Sequence, residues 1–304
     1  MSYDETPFFF DCENASLLGV LSSPAVPARV ALIIVVGGPQ YRVGSHRQFV
    51  LLARALASQG VTCLRFDYRG MGDSGGDTRD FEHVEADISA AIEALLGRTS
   101  GVDRVVLWGL CDGASASVFA AGRDARVAGL VLFNPWVRTE AGAAQALLKQ
   151  YYIRRLFTRA FWRKLFAGEI QMTVAGVSLF TNLRNAIAGN AHASAATAKG
   201  RGETLPERVG RGLARYGKPT LIVLSGNDQT AAEFQLMAAR PGPLADAIAL
   251  KMVSKFELTD ADHTLSRSSW QDEGARLTLE WLRSRFPESF AGVAGANAPD
   301  GGSR

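Results

Sequence analysis

The chain has 304 residues, of which 47% are hydrophobic and 21% charged, and its formal net charge is +3. These proportions are those of an ordinary globular protein with one large domain or two small ones. No run of about 18 apolar residues is free of charges, which argues against a membrane-spanning helix. The N-terminal residues begin with acids and lack the basic-then-apolar order of a signal peptide, so we expect a cytoplasmic protein.

The apolar runs of the first half predict strands separated by helices. PFFFDC and SLLGVL are typical of an opening hairpin, and ALIIVV (31–36) lacks alternation, as expected of a buried parallel strand. Ser45 and Gln48 predict a capping box for the helix that follows. The strands VTCLRF, VDRVVLWG and VAGLVLF come next, with helical segments between them.

The alternation of strands and helices resumes late in the chain with PTLIVLSG (219–226), LKMVSKFEL (250–258) and a closing helix. Such alternation predicts an α/β fold with a mostly parallel, eight-stranded sheet flanked by helices. We assign residues 1–136 and 216–287 to this core. Residues 137–215 contain no convincing strand and are interpreted as a helical cap insertion. Residues 288–304 are small and polar, and we expect a disordered tail.

The predicted cap is basic, since residues 138–215 hold 13 Lys and Arg against 4 Asp and Glu. Three interpretations of its amphipathic, arginine-rich stretch compete. In the first, the helix packs its apolar face on the core and its arginines are solvated. In the second, Arg154, Arg155 and Arg159 attract an anionic substrate. In the third, the cap docks peripherally on the inner membrane face, where basic amphipathic helices bind anionic lipid.

A cysteine lies at the most informative position of the chain. Cys111 lies between Gly109 and Gly113, directly after a strand and before a helix, which is the G-x-C-x-G form of a nucleophile elbow. The glycines let strand and helix approach, and the helix N-terminus favours the reactive thiolate. The alternative is a buried structural cysteine at a strand end. Cys12 and Cys63 lie in strand-like surroundings and are interpreted as packing residues.

Two later residues complete a catalytic triad of the order nucleophile, acid, base. Asp228 and His263 follow strands, on loops at the carboxyl ends where an α/β sheet places its site. His263 is expected to act as the base and Asp228 to orient its ring. Asp260 and Asp262 are alternatives to Asp228 as the acid, because they are close in sequence to the base; otherwise they cap or orient the loop.

The loop after ALIIVV is rich in glycine and predicts an oxyanion hole. We expect the backbone amides of Gly38 and Asp112 to be the donors, with Gln40 in reserve for Gly38, because Pro39 has no amide hydrogen. The alternative is a plain tight turn. A second motif, GDSGG at 72–76, is the nucleophile motif of chymotrypsin-like proteases, but here it lies between a parallel strand and a helix. We interpret it as a turn.

These motifs carry a family resemblance. FDYRGMGDSGG, the G-x-C-x-G elbow, the late Asp and the final DH resemble the α/β-hydrolase superfamily from about residue 7 to residue 286. Within it, GLCDGASA, GGPQYRVGSHRQF and the basic insertion resemble the exosortase A system-associated hydrolase type 1 family, found in bacteria beside exopolysaccharide and protein-sorting genes. That resemblance implies a role near extracellular polysaccharide production. Dienelactone hydrolases are similar in their cysteine nucleophile but lack a cap, so their substrate is not carried over.

The sequence therefore predicts a hydrolase that acts on an ester or thioester of a small molecule through a thioester on Cys111. The same intermediate permits transfer to a second acceptor, which makes an acyltransferase the first alternative. The second is a non-catalytic binding module, although such proteins usually lack the base or the elbow glycines. We expect no metal, no nucleotide cofactor and no nucleic-acid partner, because no ligand cluster or phosphate-binding loop is present.

Overall fold

The computed structural model describes residues 1–138 and 202–296. Most of the predicted cap, including Arg154, Arg155 and Arg159, lies outside these residues. The three interpretations of the cap therefore stay predictions.

Eight strands form a single sheet in the order β1-β2-β4-β3-β5-β6-β7-β8. Their bounds are β1 (Tyr3–Cys12), β2 (Ala15–Pro24), β3 (Val30–Val35), β4 (Thr62–Phe66), β5 (Arg104–Leu110), β6 (Val127–Phe133), β7 (Thr220–Ser225) and β8 (Val253–Leu258). β2 pairs antiparallel with β1 and β4, and every other pairing is parallel. The predicted α/β-hydrolase fold with its mostly parallel, eight-stranded sheet is confirmed.

Helices connect the strands and cover the sheet. In the described part of the chain they are α1 (Gln48–Ala57), α2 (Glu85–Arg98), α3 (Asp112–Ala121), α4 (Leu205–Tyr216), α5 (Gln229–Ala238), α6 (Pro243–Ile248), α7 (Ser268–Arg285) and α8 (Ala291–Ala296). Every residue of β3, β4 and β7 is buried, which explains why β3 is an unbroken apolar run without alternation. None of the described helices is long and apolar enough to cross a membrane.

The capping box predicted from Ser45 and Gln48 is not formed. His46 and Arg47 have positive φ angles of 53° and 61°, so the backbone breaks between Ser45 and the start of α1, and no side chain caps the helix. The amide of Ser45 instead donates to Oε1 of Gln40 at 3.0 Å.

Two predicted boundaries need correction. Helix α4 lies within the segment interpreted as cap, yet it packs on α3 and α6 and buries Val209 and Leu213 in the core. The tail predicted to be disordered from residue 288 is folded at its start, because Phe290 and Val293 are buried and Val293 packs on Gly60. Both segments are polar or small in composition, but each carries a few apolar side chains that reach the core.

Candidate active site

Cys111 occupies a strained turn between β5 and α3, with φ 61° and ψ −127°. Its amide donates to the carbonyl of Phe133 at 2.9 Å, and its carbonyl accepts from the amide of Trp136 at 3.1 Å. These two bonds fix the turn to the end of β6. A residue held in this sparsely populated conformation exposes its side chain at the carboxyl edge of the sheet, as the elbow motif predicts.

The two glycines of the elbow are required by close backbone contacts. A Cβ atom at Gly109 would lie 2.4 Å from the carbonyl oxygen of Gly113. A Cβ atom at Gly113 would lie 2.5 Å from the carbonyl oxygen of Val35. These separations are far below van der Waals contact, and so strand and helix can pack here only if both residues lack side chains.

We expect Gly113→Ala to lower the free energy of unfolding by about 2–4 kcal/mol, because the added methyl group meets backbone that cannot rotate away. Urea denaturation measures the change. Gly97→Ala is the matched control, since a Cβ at Gly97 in α2 meets nothing within 4 Å. It should raise stability by about 0.5–1 kcal/mol through helix propensity. Equal effects of the two substitutions would contradict the close-packing explanation.

His263 lies between Cys111 and Asp228. Its Nδ1 atom is 2.9 Å from Oδ2 of Asp228, and its ring also hydrogen-bonds the Cys111 side chain. The contact with Asp228 is an ion pair rather than a well-aligned hydrogen bond, a common state of unliganded active sites. The structure thus brings together the three residues that the sequence singles out.

The Asp228 carboxylate is held by the start of helix α5. It caps that helix, accepting from the amides of Thr230 and Ala231, both at 3.1 Å, and the residue is only 6% exposed. The two competing aspartates serve the loops instead. Asp262 accepts from the amides of Thr264 at 3.2 Å and Ser266 at 3.0 Å, whereas the carbonyl of Asp260 accepts from the Asn227 side chain at 3.2 Å.

The charge state of His263 is set by its two partners. Burial disfavours the protonated ring, but the Asp228 carboxylate and the Cys111 side chain outweigh burial and raise the pKa of His263 to about 10. The ring therefore carries a proton at neutral pH.

The raised pKa of His263 predicts a loss of stability in alkali. The protonated ring contributes fully below about pH 6.5, the ordinary pKa of the unfolded residue, and this contribution disappears as the pH rises through about 10. We expect the stability difference between the wild type and His263→Gln to shrink across that window. Urea titrations of both proteins at a series of pH values measure it. A difference that stays constant from neutral pH to about pH 10 would contradict the raised pKa.

Asn134, a residue that sequence reasoning missed, positions the loop of the base. It lies at the end of β6, fully buried, with φ 45°. Its side-chain nitrogen donates to Oγ of Ser225 at 3.0 Å and to the carbonyl of His263 at 3.4 Å, and its Oδ1 accepts from the Ser225 amide at 2.8 Å. The only sequence signal is an asparagine directly after a strand, a residue type that tolerates left-handed backbone.

The amides of Gly38 and Asp112, the first two expected oxyanion-hole donors, both interact with the Asp112 carboxylate. The amide of Gly38 donates to Oδ1 of Asp112 at 2.5 Å. The amide of Asp112, at the start of α3, interacts with the carboxylate of its own residue. The side chain of Gln40 accepts from the amide of Ser45 at 3.0 Å, and the role of the Gln40 backbone amide as a reserve donor stays a prediction.

The GDSGG segment shapes a turn, as interpreted from the sequence. The Ser74 hydroxyl donates to the carbonyl of Asp67 at 2.8 Å and accepts from the amide of Leu18 at 2.9 Å. The buried Asp67 carboxylate accepts from the amides of Arg42 at 2.6 Å and Asp73 at 3.0 Å, and it pairs with the Arg42 guanidinium. Ser74 is thus fully engaged in local structure.

The two remaining cysteines are packing residues. Cys12 and Cys63 are both buried in the core. The Cys12 thiol donates to Oδ1 of Asp87 at 3.3 Å, and burial together with this carboxylate raises the pKa of Cys12 to about 12. Cys63 donates to the carbonyl of Val61 at 3.4 Å, and burial raises its pKa further. Both thiols therefore stay protonated at neutral pH.

Comparison with known proteins identifies the family of this fold. A family model described as "Alpha/beta hydrolase family" matches residues 32–277. The quorum-quenching protein AidA of Acinetobacter baumannii is similar, with 26% identity over 246 residues, which are 73% of this chain and 78% of that protein. The polyketide transferase grgF of Penicillium sp is 31% identical over 93 residues, covering 28% of this chain and 31% of that protein.

Solved structures show the same fold. The esterase Pf2001 of Pyrococcus furiosus superposes with a TM-score of 0.62 at 16% identity, covering 93% of each chain. The alpha/beta hydrolase GrgF of Penicillium sp. sh18 superposes with a TM-score of 0.60 at 17% identity, covering 94% of this chain and 100% of that chain.

Proposed function

The chain belongs to the alpha/beta hydrolase family, and from that premise we propose that it hydrolyses an ester or thioester of a small-molecule acyl group, with Cys111 as nucleophile. His263 is the general base and acid, and Asp228 orients it. The observation that carries this proposal is that one imidazole ring, that of His263, lies 2.9 Å from the Asp228 carboxylate and also hydrogen-bonds the Cys111 side chain.

In the acylation half-reaction, the Cys111 sulfur attacks the carbonyl carbon and the carbonyl π electrons move to the oxygen. When this tetrahedral intermediate collapses, the bond to the leaving oxygen or sulfur breaks. His263 donates its proton to that leaving atom. The products are a free alcohol or thiol and an acyl thioester on Cys111.

In the deacylation half-reaction, the neutral His263 takes a proton from water while the water oxygen attacks the thioester carbon. The bond between carbon and sulfur then breaks, which releases the carboxylic acid and restores the thiolate beside a protonated ring. Asp228 keeps the imidazole in the required tautomer through both halves.

Intact-mass spectrometry tests the proposal most directly. The protein is incubated with a panel of acyl esters and thioesters, quenched in acid, and its mass and peptides are measured. We expect one acyl group on the peptide that carries Cys111 and none on Cys12 or Cys63, whose thiols are buried. The variant His263→Gln is tested with a p-nitrophenyl ester, whose leaving group departs without a proton, so that only deacylation depends on the missing base. Hydrolysis by the wild type, with no adduct in either protein, would contradict a covalent mechanism.

Transfer to a second acceptor is the alternative fate of the same thioester. The relative named polyketide transferase supports it, through 31% identity over 93 residues. Addition of hydroxyl or amine acceptors to the acylated protein separates the two fates, because transfer yields an acylated acceptor whereas hydrolysis yields only the acid. A binding module without catalysis would give no adduct with any acyl donor.

The biological setting is a further part of the proposal. The resemblance of GLCDGASA and GGPQYRVGSHRQF to the exosortase A system-associated hydrolases supports an acylated precursor of extracellular polysaccharide as the substrate class. Acylated sugars therefore belong in the donor panel. If simple esters were substrates and none of the acylated sugars were hydrolysed, the proposed link to extracellular polysaccharide would be contradicted.

A further inference from the structure

The position expected for the substrate oxyanion is filled by a carboxylate of the protein itself. Oδ1 of Asp112 accepts from the amide of Gly38 at 2.5 Å, and the same carboxylate interacts with the amides of Asp112 and Gly113 at the start of α3. A backbone amide has one hydrogen and serves one strong acceptor. The Gly38 amide therefore cannot bind the acyl oxygen while Asp112 holds it.

We infer that Asp112 gates the oxyanion hole: its carboxylate occupies the hole in the unliganded protein, and an acyl group reacts with Cys111 only after the carboxylate has left Gly38. This inference rests on the proposed function. Asp112 acts through the Gly38 amide and takes no part in bond making, so it is a positioning residue for the acylation step.

The loop is built to receive this carboxylate. A Cβ atom at Gly37 would lie 2.5 Å from Oδ1 of Asp112 and 2.2 Å from the carbonyl oxygen of Leu110, so the close approach requires glycine. The positive end of the α3 helix dipole stabilises an anion at this point. In the unliganded protein, the groups that would stabilise a tetrahedral oxyanion thus stabilise the Asp112 carboxylate instead. The negative charge of Asp112 would repel an oxyanion that formed beside it.

Tyr68 offers the carboxylate a second position. Its hydroxyl is buried and finds no hydrogen-bond partner among the described residues. Burial raises the pKa of Tyr68 above its usual range, and the nearby charge of Asp112 adds to that rise. A buried hydroxyl without an acceptor is costly. Movement of the Asp112 carboxylate from Gly38 towards Tyr68 would supply the acceptor that this hydroxyl lacks.

The gate should also respond to pH. Among the described residues, the charge of Asp112 interacts with Tyr68 and with His263, and Cys111 directly precedes Asp112 in the chain. Burial raises the pKa of Asp112 and outweighs the hydrogen bonds and the nearby His263 charge, which lower it. A falling pH therefore neutralises the carboxylate earlier than for an exposed aspartate, and a neutral carboxyl group binds the Gly38 amide less strongly.

Two reactions of the same sulfur separate the gate from the reactivity of Cys111. Acylation by p-nitrophenyl acetate creates an oxyanion and needs the hole, whereas alkylation by iodoacetamide displaces iodide from a saturated carbon and does not. Both rates depend equally on the fraction of thiolate, so their ratio reports the hole. We expect Asp112→Ala to raise this ratio at least about tenfold near pH 8, since one hole donor is worth about 10²–10³ in rate.

Two further variants sharpen the test. Asp112→Asn keeps the size of the side chain and loses the charge, so we expect a smaller rise in the ratio. Tyr68→Phe removes the second position and should lower the ratio. Circular dichroism and thermal unfolding check the fold of each variant. If Asp112→Ala does not fold, the ratio of acylation rate to alkylation rate in Asp112→Asn tests the gate instead.

The wild-type ratio should rise as the pH falls, and it should stay flat in Asp112→Ala, which lacks the carboxylate. A ratio that is unchanged or lower in both Asp112 variants, while the wild type is acylated, would overturn the gate and leave the proposed function intact. If no protein is acylated although iodoacetamide still reacts, the proposed function itself fails, and the gate fails with it.

Discussion

Replacement of Cys111 by alanine is expected to lower kcat by at least about 10⁴-fold, since loss of the nucleophile removes the covalent route altogether. The substitution deletes only the sulfur atom. The backbone bonds that hold the turn, from the Cys111 amide to Phe133 and from the Trp136 amide to Cys111, do not involve it. The fold should therefore be retained. Steady-state kinetics with the best ester of the donor panel, together with a thermal unfolding curve, measures both expectations.

Two matched variants accompany this experiment. Cys63→Ala deletes a thiol inside the core strand β4, so it should cost stability while leaving turnover near the wild-type value. Cys111→Ser keeps a hydroxyl that depends wholly on the base, and we expect a large loss with at most a trace of activity. Near-wild-type turnover of a folded Cys111→Ala protein would remove the proposed mechanism.

Asp228→Asn is expected to lower kcat by about 10²–10⁴-fold with little change in stability. Asparagine caps a helix about as well as aspartate, although its single amide oxygen keeps only one of the two bonds that Asp228 accepts from the amides of Thr230 and Ala231. What is lost is the negative charge that raises the pKa of His263 and holds its tautomer. Kinetics and urea denaturation of the same samples separate the two effects.

Asp260→Asn is the control for the choice of acid. Asp260 is exposed, and its bond to the neighbouring Asn227 uses its backbone carbonyl, which the substitution preserves. Turnover should stay near the wild-type value. If Asp260→Asn lost as much activity as Asp228→Asn, the orienting acid would have to be sought elsewhere on the loops.

The local sequence predicted the strands well where a continuous apolar run marks a strand buried on both faces. The run VAGLVLF became β6 with the same bounds, because a parallel strand buried on both faces is composed mainly of apolar residues. Prediction failed at the start of α1. The positive φ angles of His46 and Arg47 override the capping pattern of Ser45 and Gln48, and nothing in those residue types announces such a conformation.

The elbow could also be read from the chain alone, because its geometry involves only a few consecutive residues. Gly109, Cys111 and Gly113 are spaced so that strand, turn and helix meet within five positions. The filling of the oxyanion hole could not be read in this way. The bond from the Gly38 amide to Asp112 joins residues 74 positions apart, and a carboxylate after a nucleophile has no local pattern that says where it points.

By itself, the sequence determined the order of strands and helices, the elbow around Cys111 and the presence of a histidine and several aspartates on late loops. Only the tertiary structure decided that Asp228, rather than Asp260 or Asp262, lies beside the His263 ring, and that Asn134 ties this loop to the sheet. The reason is physical. Turns and periodic burial depend on neighbours along the chain, whereas contacts between loops depend on the register of parallel strands and on backbone angles that no short pattern specifies.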